Sequence, residues 1–187
     1  MRLRVILPVT LAALFALAAC GGTTPKASPK TSPGVTTVTY APAGTKPSIS
    51  AQMVCSKEAR KDMVEPLGMP AIRVTTPTWH DHIYSCTYIY PKGSFVLAVK
   101  ELVDEKSTTD YFNAQKAKLG SKDNLFGLGQ GAFVAKNDDV VVRKDYKVLL
   151  VDVKNVPKAE GAFIPAMARS DVATNVAAVI MSCWAGA

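Results

Sequence analysis

A proline-rich segment near the N-terminus most constrains how this chain can fold. Residues 21–47 contain five prolines among many threonine, serine and glycine residues, and almost no large apolar side chain. Such a composition cannot bury enough apolar surface to offset the chain entropy lost on folding, so it favours extended and coil conformations. We therefore assign residues 20–49 to a flexible tether and expect a single folded domain in residues 50–187.

The segment before the tether has the three-part layout of an export signal. Arg2 and Arg4 provide a short basic start, an apolar run follows over residues 5–16, and small residues then lead to Cys20. The apolar run is too short to span a bilayer comfortably. We therefore predict that residues 1–19 are a signal peptide that is removed on export.

The four residues Leu17–Cys20 resemble the lipobox of bacterial lipoproteins. The resemblance implies that Cys20 carries a diacylglyceryl thioether, that cleavage falls before it, and that its new amino group takes a fatty acid such as palmitate. Two or three acyl chains anchor a protein stably where one would be marginal. This places the protein at the extracytoplasmic face of the cell membrane, with the membrane as a partner through Cys20. The alternative is an ordinary signal peptide, which would leave Cys20 as an unmodified thiol.

The formal net charge of +7 is concentrated outside the predicted domain. Residues 1–19 contribute +2 and residues 20–49 contribute +3. Residues 50–187, with 17 basic and 15 acidic side chains, therefore carry only +2. A domain so close to neutral lacks the basic surface on which nucleic-acid binding depends. We therefore expect no nucleic-acid partner.

The predicted domain combines helices with hairpins. Helical patterns cover Ser50–Glu65, Thr108–Leu119 and Asp171–Trp184. Pro66 is expected to end the first helix, which has an alternative start at the good N-cap residue Ser56. Strand patterns cover Ile83–Tyr90, Ser94–Val103, Gly131–Ala135, Val140–Arg143 and Lys147–Val153. The order α-β-β-α-β-β-β-α predicts an α+β fold, with an antiparallel sheet of about five strands and helices packed on it.

Once Cys20 is lipidated, three thiols are left in an oxidising compartment. Cys55 lies on the first predicted helix and Cys86 on the first predicted strand, elements that must pack together. We predict a Cys55–Cys86 disulfide, which closes a loop of about 32 residues and contributes about 3–4 kcal/mol by the chain-entropy relation. Cys183 is then a buried thiol on the largely apolar last helix. A disulfide from Cys183 to Cys55 or to Cys86 is the alternative.

A second resemblance covers about residues 50–187. It consists of a cysteine at the first helix, the strand motif Cys86-Thr-Tyr, and the run Gly127-Leu-Gly-Gln-Gly-Ala-Phe before a β-meander and a C-terminal helix. Together these features are similar to small actinobacterial lipoproteins, a largely uncharacterised group. The resemblance implies an exported, lipid-anchored α+β domain with a structural cysteine pair, and it implies no activity.

Two motifs of the domain are candidates for chemistry, and for both a structural interpretation is favoured. His80 and His82 could present two imidazoles to one metal, but no further ligand is evident, so we predict a polar loop and no metal. The glycine run 127–131 leads into a predicted strand, whereas phosphate loops lead from a strand into a helix. We therefore predict that this run supports a tight turn.

Two classes of function follow from these observations. Arg143, Lys144 and Arg169 could meet an anionic ligand, although scattered surface charge is the simpler interpretation. The sequence contains no Gly-x-Ser-x-Gly and no His-Glu-x-x-His motif. We predict a binding or interaction module at the cell envelope that takes a small ligand, a lipid or another envelope protein, with no catalytic residue and no cofactor. The alternative is an envelope enzyme whose site is assembled from dispersed residues.

Replacing Cys20 by alanine should abolish membrane retention, because the lipobox is the only predicted means of anchoring. The measurement is the fraction of the protein that pellets with membranes after a high-salt wash. Cys183→Ala, which removes a different single thiol, is the matched control and should leave retention unchanged. A Cys20→Ala chain that still pellets would contradict anchoring through the lipobox.

Overall fold

A computed structural model describes residues 42–159, 161, 163–164 and 167–185 of the chain. The predicted signal peptide, Cys20 and the tether as far as residue 41 lie outside the described residues. The described part begins within the predicted tether and includes almost all of the predicted domain. Lipidation of Cys20 therefore stays a prediction.

The strands of the described part form one antiparallel sheet of eight strands. They are β1 Arg73–Val74, β2 Thr78–His80, β3 Ile83–Tyr90, β4 Gly93–Glu101, β5 Ser121–Leu125, β6 Gly131–Ala135, β7 Val140–Lys144 and β8 Lys147–Asp152. Across the sheet the order is β1-β3-β4-β8-β7-β6-β5, and β2 also pairs with β3. Most neighbours are consecutive hairpin strands, whereas β4 and β8 are distant in sequence.

The predicted α+β class and the antiparallel sheet are confirmed, but the sheet is larger than the five strands predicted. All five predicted strands are present, with ends that differ by at most two residues. The three additional strands are β1, β2 and β5. The first two have only two and three residues, and β5 lacks the β-branched and aromatic residues that identify a strand in a sequence.

The helices are α1 Ile49–Met53, α2 Lys57–Asp62, α3 Val64–Leu67, α4 Glu105–Leu119 and α5 Arg169–Ala185. The two long helices were predicted, but both begin earlier than expected. α4 begins at Glu105 because Asp104 and Ser107 form a capping box, in which the Asp104 side chain accepts the Ser107 N–H at 2.6 Å. The predicted helix start at Thr108 therefore misses one turn.

The single helix predicted for residues 50–65 is wrong, because this region forms α1, α2 and α3. Ser56 separates the first two by capping α2, and its side-chain oxygen accepts the Ala59 N–H at 3.1 Å. The alternative helix start at Ser56 is thus confirmed for α2. Pro66 does not end the helix, since it lies in the first turn of α3, where a backbone N–H is not needed. The left-handed Gly68 (φ +67°) follows α3 and ends it.

Helices cover both faces of the sheet. α5 packs on β7 and β8, and α1, α2 and α3 pack beside it. The large side chains fully buried on this face include Met63, Leu67, Tyr88, Phe95, Leu97, Leu149 and Ile180. α4 packs on the opposite face, over β6, β7 and β8, where a smaller cluster forms around Phe133 and Val141. Alternation of side chains along each strand supplies both clusters.

The antiparallel order gives the sheet two different ends. At the proximal end, marked by Glu101, β4, β5 and β7 end while β3, β6 and β8 begin. At the distal end, marked by Asp139, these directions are reversed. The six residues of β8 separate the two ends by about 20 Å.

Two hydrogen bonds hold the chain against the proximal end before the first helix begins. The Ala43 N–H donates to the Leu102 carbonyl (3.0 Å), just beyond β4. The Trp79 indole N–H donates to the Thr45 carbonyl (3.1 Å). The last residues of the predicted tether, from residue 43 onward, therefore lie along the folded domain.

Glu101 fixes the start of α1. Its buried carboxylate accepts hydrogen bonds from the Ser48 hydroxyl and from the Ser48 N–H, the latter at 3.3 Å. The oxygen of the same hydroxyl caps the helix by accepting the Ala51 N–H (3.2 Å). A buried carboxylate without donors would be strongly unfavourable, so Glu101 and Ser48 hold each other in place.

A disulfide joins Cys55, between α1 and α2, to Cys86 in β3, as predicted. Their Cα atoms are 6.0 Å apart, and Cys86 is buried. Cys183 in α5 is a buried thiol outside this disulfide, and its Sγ lies 3.7 Å from Asp62 Oδ2. The alternative, a disulfide formed by Cys183, is therefore not found.

Replacing Cys55 and Cys86 together by serine should lower the free energy of unfolding by about 3–4 kcal/mol, because the unfolded chain regains the entropy of an open loop. Cys183→Ala is the control in the same core and should cost about 1 kcal/mol, since it leaves only a small cavity. Denaturant unfolding measures both changes. Peptide mapping of non-reduced protein should give a Cys55–Cys86 peptide, and a disulfide peptide that contains Cys183 would contradict the pairing.

Candidate anion-binding groove

The two histidines lie in and beside the β2–β3 turn. The His80 Nδ1 is 2.9 Å from Asp81 Oδ2, and both side chains are largely exposed. The His82 ring contacts Trp79 edge-on, with the ring centroids 5.7 Å apart. Within the described ranges, no group of three or more histidine, cysteine, aspartate or glutamate side chains is placed to hold a metal ion.

The glycine run forms a turn that leads into β6, as predicted, and it connects β6 to the unpredicted strand β5. Gly127 and Gly129 have φ angles of +77° and +59°. A Cβ atom on Gly129 would lie 2.5 Å from the Arg143 carbonyl oxygen, so only glycine fits there. The Gln130 N–H donates to that same carbonyl (2.8 Å), and β6 begins at the next residue. The run therefore fixes a turn at the proximal end.

The three basic residues considered for an anionic ligand do not converge. Arg143 lies near the proximal end and donates from Nη1 to Thr109 Oγ1 of α4 (2.6 Å). Lys144 is the next residue of β7, so its side chain points to the opposite face. Arg169 lies at the distal end, where α5 begins. Of the three, Arg169 lines a groove at that end.

That groove has a volume of about 560 Å³ and opens at the distal end, between the C-terminus of α4, the β6–β7 turn and the start of α5. Its described lining residues are Lys118, Leu119, Lys136, Asn137, Asp138, Lys158 and Arg169. Four bases and one acid give this lining a net charge of +3, more than the +2 of the whole predicted domain. Positive charge is therefore concentrated at one place on an otherwise balanced surface.

Arg169 forms the floor of the groove. Only 8% of its surface is exposed, and its guanidinium is held by the β6–β7 turn. Nη2 donates to Asp138 Oδ2 (3.0 Å) and to the Asn137 carbonyl (2.8 Å), and Nη1 donates to the Val156 carbonyl (3.4 Å). Asp138 neutralises Arg169, which leaves the three exposed lysines of the lining to face a ligand.

Asp139 holds the β6–β7 turn in place through hydrogen bonds. Its carboxylate is buried and accepts the Val153 N–H at Oδ1 (2.9 Å) and the Asn137 side-chain amide at Oδ2 (2.7 Å). Burial raises the pKa of Asp139 above its ordinary value, and the two hydrogen bonds oppose this effect. The hydrogen bonds tie the β6–β7 turn to the residue that follows β8, so the turn carries Lys136 and Asp138 into the groove on a fixed base.

This arrangement is suited to binding an anion. Ammonium groups on flexible stems can surround phosphate or carboxylate oxygens without a fixed bond geometry. None of the described lining side chains is a histidine, cysteine, serine or threonine, the common nucleophiles and bases of enzymes. The one carboxylate, Asp138, is engaged by Arg169 and lies 3.5 Å from Lys122 Nζ. The described lining side chains therefore offer recognition of negative charge.

Sequence analysis identified Arg169 but missed the three lysines of the groove. Lys118 and Lys136 come from α4 and the β6–β7 turn, and Lys158 follows β8. Each belongs to a different segment, and an exposed lysine is the commonest pattern of an ordinary surface. Only the pairing of β6, β7 and β8 brings these segments together.

Comparison with protein-family models, with curated proteins and with solved structures finds no match to this chain. The resemblance to actinobacterial lipoproteins therefore stays a prediction. The geometry and charge of the groove are the observations that bear on function.

The stability of the domain should depend on pH through Asp139. Because its pKa is raised in the folded chain, the folded state keeps the proton at pH values above 3.8, where the unfolded chain loses it. The stability of the wild type should therefore fall, relative to Asp139→Asn, as the pH rises through this range. Urea unfolding of both chains at about pH 4 and about pH 7 measures the difference. A difference that is independent of pH would contradict the raised pKa.

Proposed function

We propose that this protein is an exported lipoprotein, held at the extracytoplasmic face of the cell membrane through Cys20, whose folded domain binds an anionic ligand. The observation that carries the binding function is the convergence of three exposed lysines from separate segments on one groove, around the paired Arg169. The ligand class is a phosphate or carboxylate compound small enough for a groove of about 560 Å³.

The disulfide supports the location outside the cytoplasm. Cys55 and Cys86 are bonded, and such bonds persist in oxidising compartments. No helix of residues 42–185 that the structure describes is long and apolar enough to cross a membrane. Attachment through acyl chains on Cys20 is the part of the proposal that depends on the sequence alone.

The rigidity of the groove supports binding as its role. Arg169 and Asp138 are locked to each other and to backbone carbonyls, so the floor is in place before a ligand arrives. A preformed site avoids part of the entropy cost of ordering on binding. The exposed lysines remain adaptable, which suits an anion whose charge matters more than its shape.

Anion binding should depend on Lys118 and Lys136. The probes are inorganic phosphate and pyrophosphate, titrated at low salt while backbone amide shifts are followed by NMR. Lys118→Gln/Lys136→Gln should raise the Kd about tenfold, because each exposed charge contributes on the order of 0.5–1 kcal/mol. Added salt should weaken binding by the wild type through screening.

The matched control is Lys61→Gln/Lys92→Gln, which removes two exposed lysines that lie outside the groove. It should leave the Kd unchanged and lower the net charge equally. Equal loss of binding in both double variants would show that only the overall charge matters. Shifts that do not saturate, or that avoid the β6–β7 turn, would contradict a site in the groove.

A further inference from the structure

The proximal end of the sheet carries most of the strongly exposed apolar side chains. Among the described residues, four large hydrophobic side chains are strongly exposed, and three of them lie at this end. These are Phe126, Ile49 and Val103, with 92%, 79% and 62% of their surfaces exposed. The fourth, Ile72, lies next to β1 and bonds to Ile89 toward the distal end. Single exposed apolar residues are ordinary, but their concentration at one end needs a cause.

The topology explains how three distant residues share this end. Ile49 begins α1 directly after Ser48, which is bonded to Glu101. Val103 follows β4, and Phe126 follows β5, and both strands end at the proximal end. β4 and β5 are separated by three strands, so the apolar side chains are spread along a rim of about 19 Å.

Phe126 lies in a loop whose C-terminal part is hydrogen-bonded to the end of β7. The Gln130 side chain accepts the Asp145 N–H (2.9 Å), and its own N–H donates to the Arg143 carbonyl (2.8 Å). A Cβ atom on Gly129 would lie 2.5 Å from that carbonyl oxygen, so the loop backbone passes close to β7 at this point. The exposed Phe126 side chain projects from this loop and lines the edge of a groove of about 320 Å³ that the loop forms with α4.

The chain also approaches the domain at this end. Ala43 and Thr45 are hydrogen-bonded to Leu102 and Trp79, at the end where β4 stops. Only 22 residues, 21–42, separate Cys20 from this point. A segment of that length spans about 25 Å as a flexible coil and about 70 Å when fully extended. A lipid anchor on Cys20 would therefore keep the proximal end close to the bilayer.

We propose that the proximal end rests on the membrane surface, with the Phe126, Val103 and Ile49 side chains in the interfacial region of the bilayer. This inference rests on the anchor assigned to Cys20 in the proposed function. The partner is lipid because the apolar side chains are separate projections along a rim, and a bilayer accepts such projections without a matching shape. The short tether raises the effective concentration, so even a weak affinity is sufficient.

The charges at this end indicate that contact is apolar. The segments at this end carry basic residues (Lys46, Lys100, Lys106 and Lys144) and acidic residues (Asp81, Asp104, Glu105 and Asp145) in equal number, so neither sign dominates. Membrane contact should therefore depend little on anionic lipids. It also places the basic groove on the opposite side, about 20 Å above the contacting residues and facing away from the bilayer.

The test introduces a fluorescent reporter into the full lipidated chain. Phe126→Trp and its matched control Ile72→Trp are reconstituted into phosphatidylcholine vesicles with and without brominated acyl chains, which quench tryptophan on contact. The fluorescence of the wild type, from Trp79 and Trp184, is subtracted. We expect the emission added by Phe126→Trp to be quenched about threefold more than that added by Ile72→Trp, and to shift to shorter wavelength.

The lipid anchor, the anion-binding groove and membrane docking are each tested by a separate measurement. Loss of co-flotation with the vesicles would disprove the anchor at Cys20, and loss of pyrophosphate binding would disprove the groove. In protein that does co-float, equal quenching at the two positions, or none, would overturn membrane docking. A shift of the Phe126→Trp emission to shorter wavelength that appears only at high protein density on the vesicle, or only after a second envelope protein is added, would also overturn membrane docking. It would indicate a protein partner instead.

Addition of anionic lipid to the vesicles gives a second measurement. Quenching of Phe126→Trp should stay within about twofold when a third of the lipid is anionic, because apolar contact carries the docking. A strong increase would overturn the apolar mode of contact. Since Phe126 is almost fully exposed, Phe126→Trp should leave the thermal midpoint unchanged, so the fold is not at risk.

Discussion

Pairing between β4 and β8 joins the described strands into a single sheet. The two strands form a ladder from Val96 opposite Asp152 to Glu101 opposite Lys147. β4 belongs to the group β1–β4, in which both β1 and β2 pair with β3, and β8 belongs to the meander β5–β8; α4 connects the two groups. Because these contacts are remote in sequence, they form only when a long loop closes, and burial on both faces of the sheet must offset that entropy. α5 supplies the burial on one face and α4 on the other.

The same antiparallel pairing makes the two ends of the sheet different. In an antiparallel sheet, successive connections lie alternately at the two ends. The segment before α1 and three exposed apolar side chains therefore lie at one end, and the lysines of the groove lie at the other. Glu101 and Asp139 stand at the two ends as buried carboxylates that organise them. Glu101 holds Ser48 at the start of α1, and Asp139 holds the turn that carries the basic side chains. The proposed ligand site and the proposed membrane-contact site are thereby separated by the length of a strand.

The sequence predicted those elements whose signal is local. Ile83–Tyr90 and Gly131–Ala135 are rich in residues that favour strands, and both have the predicted bounds. β5 could not be predicted because it is polar and owes its conformation to pairing with β6. The first helix was overestimated because its apolar spacing continues through Ser56, where the cap of α2 interrupts it. The groove depends on lysines that only the folded sheet brings together, so neighbouring residues in the sequence gave no indication of it.

The polar edge strand β5 has a consequence for contacts between copies of this protein. A lipid-tethered protein meets its own copies in two dimensions, where open sheet edges can join side by side into aggregates. β5 exposes Lys122, Asp123 and Asn124, and its register with β6 is interrupted between Ser121 and Asp123. At the opposite edge, β1 and β2 are too short to serve as a template. Both margins of the sheet therefore disfavour edge-to-edge pairing between copies, which would keep them separate if the proposed lipid anchor concentrates them on one membrane.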